Sequence, residues 1–463
     1  MAYATINPAT GETLETFDDH DDGELDRRLT AAVDAHHDLR GTSFDDRAGW
    51  MRAAADLVDD EADDTARMMT TEMGKTLAAA EAEVHKCATA MRFYADHAEE
   101  FLADVSYDTE AVNARRALTI YQPLGPVLAI MPWNFPLWQA VRFAAPALMA
   151  GNTGVLKHAS NVPQSAQYLG QLFGRAGFPG GAFQHVFIGS DRVESVLADD
   201  RIRAATLTGS EGAGRAVAAA AGKYLKKVVL ELGGSDPFVV MPSADLDEAA
   251  KVATTARCQN NGQSCIAAKR FIVHADCYDE FADLFAQHMA AQTLGDPMDD
   301  DTDIGPLANE QGRSGVIDAV DEAVDHGANV LVGGDVPDRE GWWYPATVIT
   351  EVPEGTTAYE DEVFGPVASL FKVGSYDEAI AVANDVPFGL GSNAWTDDGA
   401  EQHAFARDLH AGMVFINGMT ASYPQLPFGG VGTSGYGREL ADVGIKEFCN
   451  AKTVWVGGPQ PTS

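Results

Sequence analysis

Apolar and polar residues recur with helical spacing over the first hundred positions of the chain. Residues 24–104 are rich in Ala, Glu, Asp and Leu, and their apolar positions return every three or four residues, most clearly over 78–101. This period places the apolar side chains on one face of a helix. The pattern predicts two or three helices in this region, followed by a strand or hairpin over 111–121.

From residue 125 the chain alternates between short apolar runs and helical segments. Strands are predicted at 127–131, 154–156, 185–187, 204–207 and 228–230, with helices at 162–175, 193–198 and 214–224. A second series follows residue 234, with helices near 246–260 and 278–293 and a last strand near 452–456. Strands that alternate with helices at this interval are typical of βαβ units and a parallel sheet. The predicted fold class is therefore α/β.

Net charge is the one feature of the composition that is unusual. Of the 463 residues, 69 are Asp or Glu and 32 are Lys or Arg, which gives a formal net charge of −37. Such a surface repels polyanions, so nucleic acid is not expected as a partner. We expect a solvated acidic surface suited to a cytoplasm of very high salt, where the Debye length falls to ~3 Å at 1 M. An unusually acidic mesophilic protein is the alternative.

The sequence predicts a cytoplasmic protein that needs no membrane and no metal. The N-terminal residues lack the basic and apolar segments of a signal peptide, and no apolar run approaches the ~20 residues of a membrane helix. Five cysteines, at positions 87, 258, 265, 277 and 449, fit a reducing compartment better than a disulfide framework. Cys258 and Cys265 have no neighbouring histidine partners, which argues against a zinc site.

Three polar segments carry candidate chemistry. Cys265 ends the polar, glycine-containing stretch 259–265, and an accessible thiol becomes a strong nucleophile once its pKa is lowered. Glu231 ends a predicted strand just before two glycines, where a carboxylate could deprotonate water. Asn134 follows another predicted strand, and its amide could stabilise a tetrahedral oxyanion. Together they could attack a carbonyl and hydrolyse the acyl adduct.

Two further strand ends suggest a phosphate-containing ligand. Gly209 and Ser210 lie in a turn that opens an Ala-rich predicted helix, and the amides at a helix N-terminus can bind phosphate. The glycine spacing is not that of the dinucleotide fingerprint, so a serine that only caps the helix is the alternative. Lys157 ends a neighbouring predicted strand and could reach a ribose or phosphate, although alone it would read as a surface lysine.

The ordered set of motifs resembles the NAD(P)-dependent aldehyde dehydrogenase superfamily over almost the whole chain. The motifs that carry this resemblance are 132–136, 156–157, 208–210, 231–234, 262–265, 362–366 and 427–430. The resemblance implies that Cys265 is the nucleophile, Glu231 the general base and Asn134 an oxyanion donor. The implied reaction is thiohemiacetal formation, hydride transfer to a nicotinamide, and hydrolysis of a thioester.

The resemblance also implies where a nicotinamide cofactor is bound. Lys157 would contact the adenine ribose, Ser210 the pyrophosphate, Trp133 the backbone region on the adenosine side, and Glu362 the nicotinamide ribose. Gly209 and Phe364 are expected in the same site. Ser160 stands where NAD-preferring members often carry a glutamate that would repel a 2′-phosphate, so either NAD or NADP is expected.

Within the superfamily, the chain most resembles succinate-semialdehyde dehydrogenases of the shorter bacterial type. The segments that carry this likeness are 136–139, 156–159, 231–238 and 446–450. A semialdehyde with a distal carboxylate needs a cation in the substrate tunnel. Arg142 falls where these enzymes place a carboxylate-binding arginine, whereas a second expected arginine is Gln259 here. Ser422 is expected to complete the carboxylate contacts, and Phe428 to form part of the tunnel wall.

The resemblance implies three structural parts. Residues 1–105 and 123–230 are predicted to form a Rossmann-type NAD(P)-binding domain, and residues 231–440 an α/β catalytic domain. Residues 106–122 and 441–463 are predicted to form a small β oligomerisation element of a homodimer or homotetramer, in which 106–122 pairs with 450–457.

Three other functions stay open. A broad-range aldehyde dehydrogenase would keep the chemistry without the carboxylate preference. A CoA-acylating enzyme would generally lack Glu231, because thiolysis needs no activated water. A binding or structural relative without activity would be expected to lose the nucleophile or the base.

Overall fold

A computed structural model describes residues 3–458. The first part of the chain contains the elements β1 (Tyr3–Ile6), β2 (Thr13–Phe17), α1 (Asp22–Leu39), α2 (Phe44–Asp60), α3 (Ala62–Met73), α4 (Leu77–Phe101), β3 (Val105–Ser106) and β4 (Arg116–Pro123). Four helices stand where two or three were predicted, because the breaks between them are too short to interrupt the apolar period. Caps at Ser43 and Thr76, and left-handed Gly74, mark two of these breaks. The strand predicted from residue 111 begins only at Arg116, after a series of turns.

The second part alternates strand and helix, as predicted. It contains β5 (Pro126–Met131), α5 (Trp138–Ala150), β6 (Thr153–His158), α6 (Pro163–Arg175), β7 (Phe183–His185), α7 (Val193–Ala198), β8 (Ala204–Thr208), α8 (Glu211–Lys223) and β9 (Lys227–Glu231). The strand predicted over 185–187 was misplaced, since β7 ends at His185. Helix α8 begins before the predicted residue 214, because Ser210 caps it by accepting the backbone N–H of Ala213 at 3.4 Å.

The remaining part forms a second α/β series and a C-terminal strand. Its elements are β10 (Pro237–Val240), α9 (Leu246–Cys258), β11 (Arg270–His274), α10 (Tyr278–Ala290), α11 (Glu310–Asp325), β12 (Asn329–Val332), β13 (Thr347–Thr350), α12 (Thr357–Glu360), β14 (Val367–Val373), α13 (Tyr376–Asn384), β15 (Asn393–Trp395), α14 (Gly399–Asp408), β16 (Phe415–Ile416), β17 (Gly435–Tyr436), α15 (Ala441–Lys446) and β18 (Cys449–Val456). Both predicted helices of this series are present, and each ends earlier than predicted.

Two large sheets organise the chain, and they confirm the predicted α/β fold. The first has the strand order β17-β9-β8-β5-β6-β7 and is parallel except for β17. The second has the order β12-β13-β14-β11-β10-β15-β16 and is parallel except for β12. In the first sheet the chain adds β6 and β7 on one side of β5, then crosses to add β8 and β9 on the other. This reversal leaves a crevice at the carboxyl ends of β5 and β8, where such sheets bind ligands.

A three-stranded sheet with the order β18-β4-β3 completes the fold. Strand β18 pairs antiparallel with β4 from Cys449 opposite Pro123 to Val456 opposite Arg116, so the two segments predicted to pair do so. Its predicted role in oligomerisation stays a prediction, and residues 459–463 of that predicted element lie outside the described residues. Among residues 3–458, no helix has both the length and the apolar content that crossing a bilayer requires.

Helices α4 and α5 are joined by a single apolar core. Val84, Met91 and Tyr94 of α4 and Trp138 and Leu148 of α5 are all buried in it. Burial of side chains of this size contributes roughly 1.5–3 kcal/mol each. The core therefore holds one face of α4 against the start of α5, immediately after the turn that contains Asn134.

Candidate active site

A cavity of about 280 Å³ lies at the crevice between the carboxyl ends of β5 and β8. Its lining comes from residues at or just after the ends of β5, β8 and β9. Cys265, Glu362 and Phe364, from the part of the chain that forms the second sheet, complete it. Seven of the predicted site residues contribute to this lining: Trp133, Asn134, Gly209, Ser210, Cys265, Glu362 and Phe364. The fold thus brings the predicted nucleophile and the predicted phosphate-binding turn to one cavity.

Cys265 lies at the end of a turn that the backbone of Asn260 and Asn261 shapes. Both asparagines adopt the left-handed conformation, with φ of 53° and 58°, so the helix predicted to reach Asn260 stops short of it. Asparagine tolerates this conformation better than most residues. Gly262 follows with φ +74°, and a Cβ there would overlap the backbone of Gly365. The turn therefore packs directly on the segment that carries Glu362.

The surroundings of Cys265 favour the protonated thiol over the thiolate. Burial raises its pKa to about 12, although Arg142 and Lys269 act in the opposite direction. Lys269 Nζ donates to the backbone oxygens of Ser264 and Cys265 at 2.9 and 2.7 Å and pairs with Glu362 at 2.9 Å. Lys269 could not be singled out from the sequence, because a lysine just before a strand belongs to no recognisable motif. Attack by this thiol requires a base nearby.

Glu231 is buried at the end of β9, and neither of its carboxyl oxygens has a hydrogen-bond partner among the described residues. Burial raises its pKa well above the ordinary range, and the neighbouring Glu439 acts in the same direction, whereas Arg142 and Arg438 oppose it. Gly429 leaves space for the carboxyl group, since a Cβ there would lie 2.7 Å from Glu231 Oε1. An unpartnered acid with a raised pKa suits a group that accepts and releases protons.

Asn134 is buried in the turn between β5 and α5. Its Nδ2 donates to the backbone oxygen of Gln263 at 3.1 Å, and Asn260 Nδ2 donates to the Asn134 carbonyl at 2.8 Å. A side-chain amide carries two N–H groups, so one remains for another acceptor. This arrangement suits the predicted oxyanion donor, and the role remains a prediction.

The residues predicted to bind the cofactor present suitable chemistry for a dinucleotide. Ser210 caps α8, so the N-terminal amides of that helix face the crevice end of β8. Lys157 is the last residue but one of strand β6, and partial burial lowers its pKa without any opposing carboxylate among the described residues. The backbone oxygen of Ser160 accepts the N–H of Ala4 at 3.0 Å. Trp133 and Phe364 meet edge to face, with ring centroids 5.7 Å apart.

The residues predicted to bind the substrate carboxylate do not line this cavity, and Arg142 is already engaged. Its side chain is buried and forms an ion pair with Glu439. Its guanidinium lies 4.3 Å from the ring centroid of Phe428. Gln259 donates to the carbonyl of Ala256 at 3.3 Å, at the end of its own helix. The guanidinium of Arg142 is therefore already paired with Glu439 before any substrate carboxylate could bind to it.

Ser422 is held by two donors whose proximity to it the sequence does not indicate. Lys86 Nζ of α4 donates to Ser422 Oγ at 2.6 Å, and Trp138 Nε1 of α5 donates to the same oxygen at 3.1 Å.

Within residues 3–458, no group of three or more His, Cys, Asp or Glu side chains is placed to hold a metal ion.

Comparison with known proteins identifies the family. The model described as the aldehyde dehydrogenase family matches residues 1–454. The succinate-semialdehyde dehydrogenase (NADP(+)) of Mycobacterium avium is 60% identical over 458 residues, which cover 99% of this chain and 97% of that relative. Its counterpart from Mycobacterium tuberculosis is 60% identical over 456 residues, 98% of this chain and 100% of the relative.

Solved structures agree with the sequence comparison. The crystal structure of succinic semialdehyde dehydrogenase from Streptococcus pyogenes in complex with NADP+ superimposes with a TM-score of 0.96 at 39% identity, covering 99% of this chain and 100% of that one. The predicted resemblance, including its likeness to succinate-semialdehyde dehydrogenases, is confirmed. The chain belongs to the aldehyde dehydrogenase family.

Proposed function

We propose that this protein oxidises succinate semialdehyde to succinate with NADP+. The observation that carries the proposal is its 60% identity, over nearly the full length, to relatives named succinate-semialdehyde dehydrogenase (NADP(+)). Cys265 and Asn134 line the same cavity, and Glu231 ends β9 directly before two further lining residues, Leu232 and Gly233, which supports it. One aldehyde, one water and one NADP+ would give one carboxylate, one NADPH and two protons.

The side chains divide the reaction between them. Cys265 attacks the aldehyde carbon and forms a C–S bond, while the thiol proton passes to a base. The free N–H of Asn134 and the backbone N–H of Cys265 donate to the developing oxyanion, a contribution of about 2.7–4 kcal/mol per donor in such sites. Bound NADP+ supplies the hydride acceptor. Glu231 then takes a proton from the water that displaces the acyl group from sulfur, which restores the thiol.

The surroundings of Lys157 support NADP+ as the cofactor. A half-buried lysine without a carboxylate partner attracts a 2′-phosphate, and Ser160 adds no negative charge beside it. We expect Ser160→Glu to lower kcat/KM for NADP+ by about tenfold or more, equivalent to ~1.4 kcal/mol, with a smaller effect on NAD+. Ser160→Gln is the matched control, because it adds the same bulk without charge. Equal losses in both variants would assign the effect to size and contradict the charge argument.

The substrate is tested by initial rates in molar KCl with NADP+. Butanal matches succinate semialdehyde in chain length but lacks the carboxylate. We expect kcat/KM to be at least tenfold higher for the semialdehyde, because a hydrogen bond to a charged group contributes about 1.5–3 kcal/mol. Equal values would overturn the substrate proposal and leave a broad-range aldehyde dehydrogenase.

We also propose that the enzyme works as a homodimer or homotetramer in a cytoplasm of high salt. The net charge of −37 supports a cytoplasm of high salt, since counterions would relieve repulsion between like charges on the surface. Strand β18 supports the assembly, because it is an edge strand and its Trp455 is 55% exposed. An unpaired edge with an exposed aromatic residue suits pairing with another subunit.

A further inference from the structure

We propose that Lys86 of α4, together with Ser422, binds the distal carboxylate of the substrate, an assignment that rests on the proposed function. Lys86 is partly buried, and its Nζ lies 4.4 Å from the centroid of the Trp138 ring, on the first turn of α5. Trp138 and Cys265 pack into the same apolar core. The packing of α4 against α5 therefore fixes the ammonium group on the face of Trp138, and Cys265 lies within range of its charge.

The group formed by Lys86, Ser422 and Trp138 has an excess of hydrogen-bond donors. Lys86 Nζ and Trp138 Nε1 both donate to Ser422 Oγ, at 2.6 and 3.1 Å. A hydroxyl oxygen has two lone pairs and one proton, so both lone pairs are occupied and the proton is left to donate. Neither this proton nor the two other N–H groups of Lys86 has an acceptor among residues 3–458. A carboxylate, which only accepts, is the group that such a cluster fits.

The nearby carboxylates of the protein are already committed to other partners. Glu83, one turn before Lys86, pairs with Lys75 and accepts the backbone N–H groups of Leu137 and Trp138 at 2.8 Å each. Glu439 pairs with Arg142. Lys86 consequently has no ion pair with a carboxylate among the described residues, and the substrate would supply the missing anion. Arg142 would then act as a positioning residue for Glu439, beside Glu231.

The protonation of Lys86 gives the site a dependence on pH. Burial lowers its pKa to about 8. The groups around it act in both directions, since Arg142 of α5 adds to the lowering while Cys265 and, on its own helix, Cys87 and Glu83 oppose it. The cation is present below this pKa and is lost as the pH rises through it. Discrimination in favour of an anionic substrate should therefore weaken above about pH 8.

Lys86→Met tests the assignment, because methionine keeps the length and the apolar contacts of the stem but removes the charge. We expect the ratio of kcat/KM for succinate semialdehyde to that for butanal to fall ~10–100-fold, equivalent to ~1.4–2.8 kcal/mol. Lys86→Arg should recover part of the ratio and keep it constant across pH 8, since arginine stays charged. Lys251→Met is the matched control, because Lys251 is an exposed lysine on α9.

Binding of succinate, measured by calorimetry with NADP+ present, separates this inference from the proposed function. Suppose the wild-type protein prefers the semialdehyde. An unchanged ratio in Lys86→Met then overturns the role of Lys86 and leaves the function standing. If the wild-type protein shows no preference, the proposed function fails. In that case, loss of succinate binding in Lys86→Met would still support a carboxylate site at Lys86, used by another anionic aldehyde. Equal succinate binding in the wild-type protein and in Lys86→Met would overturn the carboxylate site as well.

Discussion

Replacing Cys265 with alanine is expected to lower kcat for aldehyde oxidation by roughly 10⁴-fold or more. Without the sulfur no thiohemiacetal can form, so no hydride donor is created from the aldehyde. The remaining contacts of the site survive, because the side chain of Cys265 makes no hydrogen bond among the described residues. The rate of NADPH formation measures the loss, and fluorescence titration with NADPH should show that cofactor binding is retained.

Cys258→Ala is the control for this prediction. Cys258 belongs to the same stretch of chain but is buried in the core of the second sheet, where its sulfur contacts Met289. The substitution should cost some stability and leave kcat within a few fold of the wild-type value. If Cys258→Ala were as inactive as Cys265→Ala, or if Cys265→Ala kept its turnover, the nucleophile would have to be sought elsewhere.

The sequence predicted the parts of the site that lie where a strand ends. Asn134 and Glu231 each follow a run of apolar residues, so their position at the carboxyl edge of a parallel sheet could be expected from the pattern alone. Cys265 was recognisable from its polar, glycine-containing turn. Such residues can be recognised without knowledge of the tertiary structure, because a strand and the turn that follows it are continuous in the chain.

Contacts between distant segments could not be predicted in this way. Lys86 lies in an Ala- and Glu-rich helix, where a lysine normally reads as a solvated residue, and only the packing of α4 on α5 places it against Trp138. One weak indication was the position of Lys86 one turn after Glu83, a residue that also contacts the start of α5. The pairing of Arg142 with Glu439 joins residues almost three hundred positions apart. No spacing in the sequence indicates that the guanidinium is already paired.

The Arg142–Glu439 pair acts electrostatically on both Cys265 and Glu231, the predicted nucleophile and the predicted general base. Arg142 lowers the pKa of Cys265 and of Glu231, whereas Glu439 raises that of Glu231. Loss of one member would leave a buried charge without its partner, which typically destabilises a protein by about 3–5 kcal/mol. A variant of Arg142 would therefore affect every aldehyde, and it cannot by itself reveal which residue recognises a carboxylate.

Glu231→Gln is expected to stop the reaction after hydride transfer rather than before it. Glutamine keeps the size of the side chain but cannot take a proton from water, so the acyl group should remain on Cys265. We expect the steady-state rate to fall by ~10²–10⁴-fold, the usual contribution of a general base. A burst of about one NADPH per active site should precede the slow phase, and intact-protein mass spectrometry should find the acyl adduct.

The pH profile provides the second readout of this variant. Only the ionised form of Glu231 can act as a base, and burial raises its pKa, so kcat of the wild-type protein should increase as the pH rises through that raised value. The variant should lose this increase. Glu360→Gln, which removes an exposed carboxylate from α12, should keep both the rate and the profile. If Glu231→Gln instead showed neither a burst nor an adduct, the carboxyl group would be needed to ionise Cys265 itself, and its main role would move to the first chemical step.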